Sequence, residues 1–190
     1  MAEKTLITPD FRASYVQVFR AKAQKQPDGT LSAAKFSIRA CFPPNTDLSA
    51  LKAAAQQAAV DKWGSSIPKT MRSPFRLNEE LDNPVAGLED DWIIMTFSAS
   101  ETDRPGLVDS KNQDIIDETE VYAGAWYIAQ VNAYAYDQKG NKGVTFGLLN
   151  VRKQKDDEPL GSGKQKASKA FEAFAPALAS GPEGKKSMFD

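Results

Sequence analysis

The segment from Val121 to Lys155 constrains the fold most. Two long runs rich in aromatic and β-branched residues, Val121 to Tyr136 and Val144 to Lys155, flank the polar stretch Asp137-Gln138-Lys139-Gly140-Asn141-Lys142-Gly143. Two strand-like runs separated by a Gly- and Asn-containing stretch read as a long hairpin. Within the first run the odd positions, Tyr127, Ala129, Val131, Ala133 and Ala135, are mostly small and apolar. The even positions carry Trp126, Gln130, Asn132, Tyr134 and Tyr136. Side chains alternate across a strand, so the odd set predicts an inward face and the even set an outward one. Small inward residues suit the narrow interior of a barrel.

The rest of the chain supplies a barrel's other parts. Residues 1–13 read as a polar lead-in. Ser14 to Ala21 and Lys35 to Phe42 read as strands, separated by a turn at Pro27-Asp28-Gly29. On the second, Phe36, Ile38, Ala40 and Phe42 share one face, and Lys35, Ser37, Arg39 and Cys41 the other. Asp47 sits where an N-cap belongs, and the spacing of Leu48, Leu51, Ala55, Ala58 and Ala59 predicts a helix over about 47–63, ended by Gly64. Asp91 to Ser100 reads as a strand whose apolar centre, Ile93-Ile94-Met95, is covered on both faces. Glu101 to Glu120 is an acidic connector, Asp156 to Gly163 a second turn, and 164–174 a short helix. The expectation is a mainly β protein: one five-stranded antiparallel Greek-key barrel of the OB type over 1–174, with helical additions, then a flexible tail over 175–190. At 190 residues a single domain is the natural size.

Composition removes much chemistry. The chain has no histidine and one cysteine, Cys41. Ser-His-Asp and Cys-His catalysis are excluded, as are an internal disulfide and a multi-thiolate zinc site. Cys41 lies in an apolar run and is expected to be a buried, inert thiol in a reducing compartment. Gly161-Ser162-Gly163-Lys164 resembles part of a phosphate loop, but Glu158 and Gln165 stand where that motif needs glycine and Ser or Thr. Asp156-Asp157-Glu158 and Glu89-Asp90-Asp91 read as solvated turns, which keeps a metal-dependent nuclease only as a second alternative. No signal peptide or membrane span is expected, and no cofactor.

Charge is segregated beneath a net of −1. Lys62 to Arg76 carries four cations and no acid, and Leu77 to Asp91 six acids and no base. Gln138 to Lys155 carries five cations and no acid. A face of aromatics and amides beside a basic hairpin is what a single-stranded nucleic acid needs, with bases stacking on rings and cations following phosphates. The competing reading is core packing or cross-strand pairing of the same rings.

The hairpin also carries a resemblance. Val121-Tyr122-Ala123-Gly124, Val131 to Asp137, Gly140-Asn141-Lys142-Gly143-Val144, Phe146-Gly147-Leu148, Asn150-Val151 and Glu158-Pro159-Leu160-Gly161 together resemble the phage-encoded single-stranded DNA-binding proteins. A looser match runs back through Ser73-Pro74-Phe75-Arg76 and Arg104 to Asp109, so the resemblance covers about 70 to 163. It implies an OB-type fold, binding of single-stranded DNA without sequence preference, and a role in phage replication, recombination or repair. It implies no catalysis, and places the protein in the cytoplasm of the infected bacterial host. Its hairpin motif falls on Tyr122, Gly124, Tyr134, Tyr136, Gly140, Gly143 and Phe146. The expected stacking platforms are Trp126, Tyr134 and Tyr136, and the expected phosphate contacts Lys139, Lys142, Arg152 and Lys153. Arg39, Phe75 and Arg76 form a second bank. The terminal Met188, Phe189 and Asp190 are expected to recruit phage replication proteins such as a DNA polymerase. A monomer and a dimer both stay open. The first alternative function is a phage protein–protein interaction module on the same barrel.

Overall fold

A computed structural model of the chain describes residues 4–161. Its elements are β1 (Thr5–Ile7), β2 (Phe11–Lys22), β3 (Lys35–Phe42), α1 (Ser49–Trp63), β4 (Arg76–Leu77), β5 (Ile93–Ser100), β6 (Gly106–Val108), β7 (Trp126–Gln138) and β8 (Asn141–Lys155). Pairings run β2–β3, β3–β5, β5–β8, β8–β7 and β7–β2, which closes five strands into a ring. That is the expected OB-like barrel. It is not antiparallel throughout, because β5 and β8 run parallel at Phe97–Phe146 and Ser98–Gly147. The other four pairings of the ring are antiparallel, and in a ring of five strands that leaves the fifth, β5 with β8, parallel.

The core is a chain of edge-on rings. Phe11 meets Phe42 at 5.6 Å and Phe97 at 5.9 Å, and Phe97 meets Phe146 at 6.0 Å. Such pairs add about 0.5–1.5 kcal/mol each beyond the area they bury. Tyr127, Ala129 and Val131 of β7 point into this core and are buried, as the alternation predicts. Helix α1 packs on β7 and β8 through Leu51, Ala55 and Ala59, one turn apart and short enough to let the helix approach closely. Ile94 and Met95 are both buried although they face opposite ways.

Four local expectations are corrected. The lead-in is not unstructured: Thr5–Ile7 pairs with β7, and β2 begins at Phe11, which is fully buried. Its polar composition hid this because most of that pairing is backbone, with Thr8 exchanging hydrogen bonds with Ala129 through both its main chain and its hydroxyl. The acidic connector holds β6, parallel to β8, and buries Leu107 and Ile115. Asp47 is one residue outside the N-cap, which is Leu48, yet its carboxylate still accepts the Ser49 N–H at 2.9 Å. The seven-residue turn shrinks to two, Lys139-Gly140, with Gln138 already paired to Asn141. Both turn residues have positive φ, 51° and 83°, which matches a hairpin turn to the twist of its strands. Residues 162–190, with the expected short helix over 164–174, the tail and Met188, Phe189 and Asp190, lie outside the described residues.

Candidate nucleic-acid interface

The outward face of the barrel carries a floor of small polar side chains. Gln17 pairs with Ser37, Ser37 with Ser98, Ser98 with Gly147 and Gly147 with Asn132, so one row crosses all five strands. Beside it run Arg39 paired with Thr96 and Tyr134 paired with Thr145. Small residues sink this floor below its surroundings. Two open hollows of about 470 and 310 Å³ lie along it and share Lys35, Arg39, Thr96 and Ser98, so they form one groove.

Its walls come from three separate parts of the chain. Tyr134 and Tyr136 stand on the hairpin side. Adjoining them, the 72–76 segment runs from the hairpin to β5 and brings Arg72 and Arg76, held there because the Arg72 N–H donates to the Lys142 carbonyl at 2.9 Å and β4 pairs with β5. At the far end Lys22, the last residue of β2, and Gln24 and Ser32 of the loop that follows close the second hollow, beside Tyr15. Among the described residues, no Asp or Glu lines either hollow. Five cations therefore line the groove without an acid among its described lining residues, and one of them, Arg76, also donates to the Glu80 carbonyl. Tyr134 is 43% exposed, and partial burial raises its hydroxyl above the ordinary tyrosine value, so the ring stays neutral.

The expected site residues divide. Tyr134, Tyr136, Arg39 and Arg76 meet in the groove. Lys139 sits at the hairpin tip, and Lys142 beside it is paired with Asp137 at 3.4 Å. Phe75 turns inward, edge-on to Phe146 at 6.3 Å. Trp126, Arg152 and Lys153 lie elsewhere, at the opposite end of the hairpin. Trp126 is eight residues from Tyr134, roughly 26 Å along an extended strand. Its indole N–H donates to the Asp157 carboxylate at 2.7 Å and the Lys155 ammonium lies over its ring at 4.9 Å, so that ring is already occupied. Lys153 pairs with Asp156 at 2.8 Å and donates to the Glu120 carbonyl. Arg152 donates to Gln154 and Asn112.

These last residues belong to a structural clasp. The Tyr122 hydroxyl donates to Asp156 at 2.8 Å, Tyr127 donates to the Tyr122 carbonyl, and Arg12 donates to the carbonyls of Gly124 and Glu158. Gly124, at φ 111°, lies directly against the backbone of Glu158 to Leu160. The Trp126 hydrogen bond, foremost, holds the Asp157 carboxyl below its ordinary value. The motif residues Tyr122 and Gly124 thus fasten the 156–160 segment across the barrel base.

Sequence reasoning missed Tyr15, Lys22, Lys35 and Arg72. The signal for Lys35 was present, since it shares the polar face of β3 with Arg39. Arg72 stands in the four-cation block, but its arrival beside the hairpin depends on a bridge between residues 72 and 143. Cys41, on the same parity as Arg39, is nevertheless fully buried, and burial pushes its thiol up to about 11. Among the described residues, no group of three or more His, Cys, Asp or Glu could hold a metal ion, and no helix is long and apolar enough to cross a membrane.

Comparison with known proteins follows the groove. The family model described as "Enterobacter phage Enc34, ssDNA-binding protein" matches residues 4–179. No curated protein matches the chain. Among solved structures, the single-stranded DNA-binding protein from bacteriophage Enc34 superposes with a TM-score of 0.64 at 21% identity, over 88% of this chain and 89% of that one. The same protein in complex with ssDNA gives 0.64 at 19% identity, over 83% and 89%. A single-stranded DNA-binding protein encoded by bacteriophage T7 gives 0.58 at 11% identity, over 96% and 100%. At these identities the structures establish the shared fold.

Proposed function

The chain belongs to the Enc34 phage single-stranded DNA-binding family, and from that premise we propose that it binds single-stranded DNA without sequence preference, through the groove across the barrel. The observation that carries this reading is the acid-free lining, with five cations and three tyrosines over a floor of small polar residues. Bases lie on Tyr134, Tyr136 and Tyr15, each worth about 1–3 kcal/mol where a base stacks. Phosphates follow Lys22, Lys35, Arg39, Arg72 and Arg76, with Lys139 at the hairpin tip. Hydroxyls of the floor offer donors and acceptors to any base edge, which suits binding indifferent to sequence. No bond is made or broken in this reading, so the protein acts without catalysis, in replication, recombination or repair of phage DNA in the cytoplasm of the infected host. Recruitment of replication proteins such as a DNA polymerase by Met188, Phe189 and Asp190 is proposed from the sequence alone.

The test is fluorescence anisotropy of a labelled oligo(dT), titrated at two salt concentrations with a duplex competitor. Binding that duplex does not displace and that weakens with salt is the expected result. No binding at micromolar protein and low salt would overturn the reading and turn the search to protein partners of the same face.

A further inference from the structure

Two walls of the groove meet at a residue that has no side chain. Gly143 is the direct cross-strand partner of Tyr136 and also bridges to Arg72. Beside it the Arg72 N–H donates to the Lys142 carbonyl at 2.9 Å, and the Arg72 carbonyl accepts the Val144 N–H at 3.3 Å. A Cβ at position 143 would stand 2.5 Å from the Tyr136 hydroxyl oxygen, 2.7 Å from Cζ and 2.9 Å from Cε1. Gly143 is not among the positive-φ glycines, so its backbone would accept any residue. What the position needs is the empty volume.

We propose that Gly143 is a positioning residue for DNA binding: its missing side chain is the space in which the Tyr136 ring lies, next to Arg72. The proposal rests on the single-strand reading above. An aromatic side chain laid over a cross-strand glycine is held by packing on one side and leaves the other side open. Here the open side borders the groove, so a base stacked on Tyr136 sets its phosphate beside the Arg72 guanidinium. The atoms that a new Cβ would strike belong to the far end of one side chain. Tyr136 can swing away by turning about its own bonds, so an alanine at 143 moves the ring without breaking the strand pair.

The test measures oligo(dT) affinity and melting temperature for the wild type, Gly143→Ala, Tyr136→Ala and the double variant, at two salt concentrations. Gly143→Ala is expected to weaken binding about as much as Tyr136→Ala, roughly five- to a hundredfold for one lost stack. The double variant is expected to bind no worse than Tyr136→Ala alone, and the salt slope to stay unchanged, since no cation is removed. A role confined to stability would lower binding equally in every background. Wild-type binding by Gly143→Ala, or an equal loss with and without Tyr136, would overturn the proposal. Failure of the wild type itself to bind would overturn the underlying reading instead.

Discussion

Lys139 stands at the hairpin tip against local backbone preference. It occupies the first position of a two-residue turn at φ 51°, where asparagine or glycine is at ease and a long side chain is not. Lys139→Asn keeps the turn, relieves the strain and removes the charge. The melting temperature is expected to rise by about 2 °C, on the scale of a gain below 1 kcal/mol. DNA affinity is expected to fall, with the salt slope smaller by about 0.7, the single-strand value per phosphate contact. Equal affinity in calorimetry would assign the lysine to the turn alone. Tyr134 gives the complementary case: at 43% exposure it contributes little to the core, so Tyr134→Ala is expected to melt near the wild type while binding weakens at every salt concentration. Cys41 completes the contrast, since its buried thiol is expected to resist an aromatic disulfide reagent at pH 8 until the chain is denatured.

At the scale of elements, the hairpin was legible and its ends were not. Alternation in Trp126–Gln138 separates inside from outside because most inward residues, Ala129, Val131, Ala133 and Ala135, are small and apolar. The same alternation says nothing of position along the strand, so Trp126 and Tyr134 look equivalent although a groove holds one and a clasp the other. For Lys153 the sequence shows a charge without its partner, Asp156, which is only three residues away on the turn. Phe11 escaped because the lead-in around it is mostly polar, and a barrel strand can be fixed by one such ring plus backbone bonds. The clasp makes a pH prediction. The Asp157 carboxyl lies below its ordinary value chiefly through the Trp126 N–H, so its contribution is present above the unfolded aspartate range and lost as pH falls through the folded value. Asp157→Asn is therefore expected to be less stable at neutral pH and to lose less on acidification than the wild type. Denaturant melts at neutral pH and near pH 3 would show this as convergence of the two curves.

At the scale of the whole molecule, a net charge of −1 would suggest indifference to DNA, yet affinity depends on where charge is placed. Acidic blocks occupy 77–91 and the connector over 101–120, while the groove lining carries none of their carboxylates. Glu80 and Asp82 line a neighbouring hollow on the outer side of Arg72 and Arg76, so the two arginines stand on the ridge where the sign of the surface changes. A strand laid in the groove meets cations along its length and carboxylates beyond its rim. Engaging all five lining cations predicts a slope of log affinity against log salt near −3.5, or about a hundredfold loss between 50 and 200 mM. Two of the three arginines in the sequence reading then part company. Arg39→Gln is expected to reduce the slope by about 0.7, because its guanidinium faces the groove. Arg152→Gln is expected to leave slope and affinity near the wild type, because that guanidinium is already bonded to Gln154 and Asn112 away from the groove. Equal effects of the two substitutions would mean that the DNA follows the length of the hairpin and not the floor that crosses it.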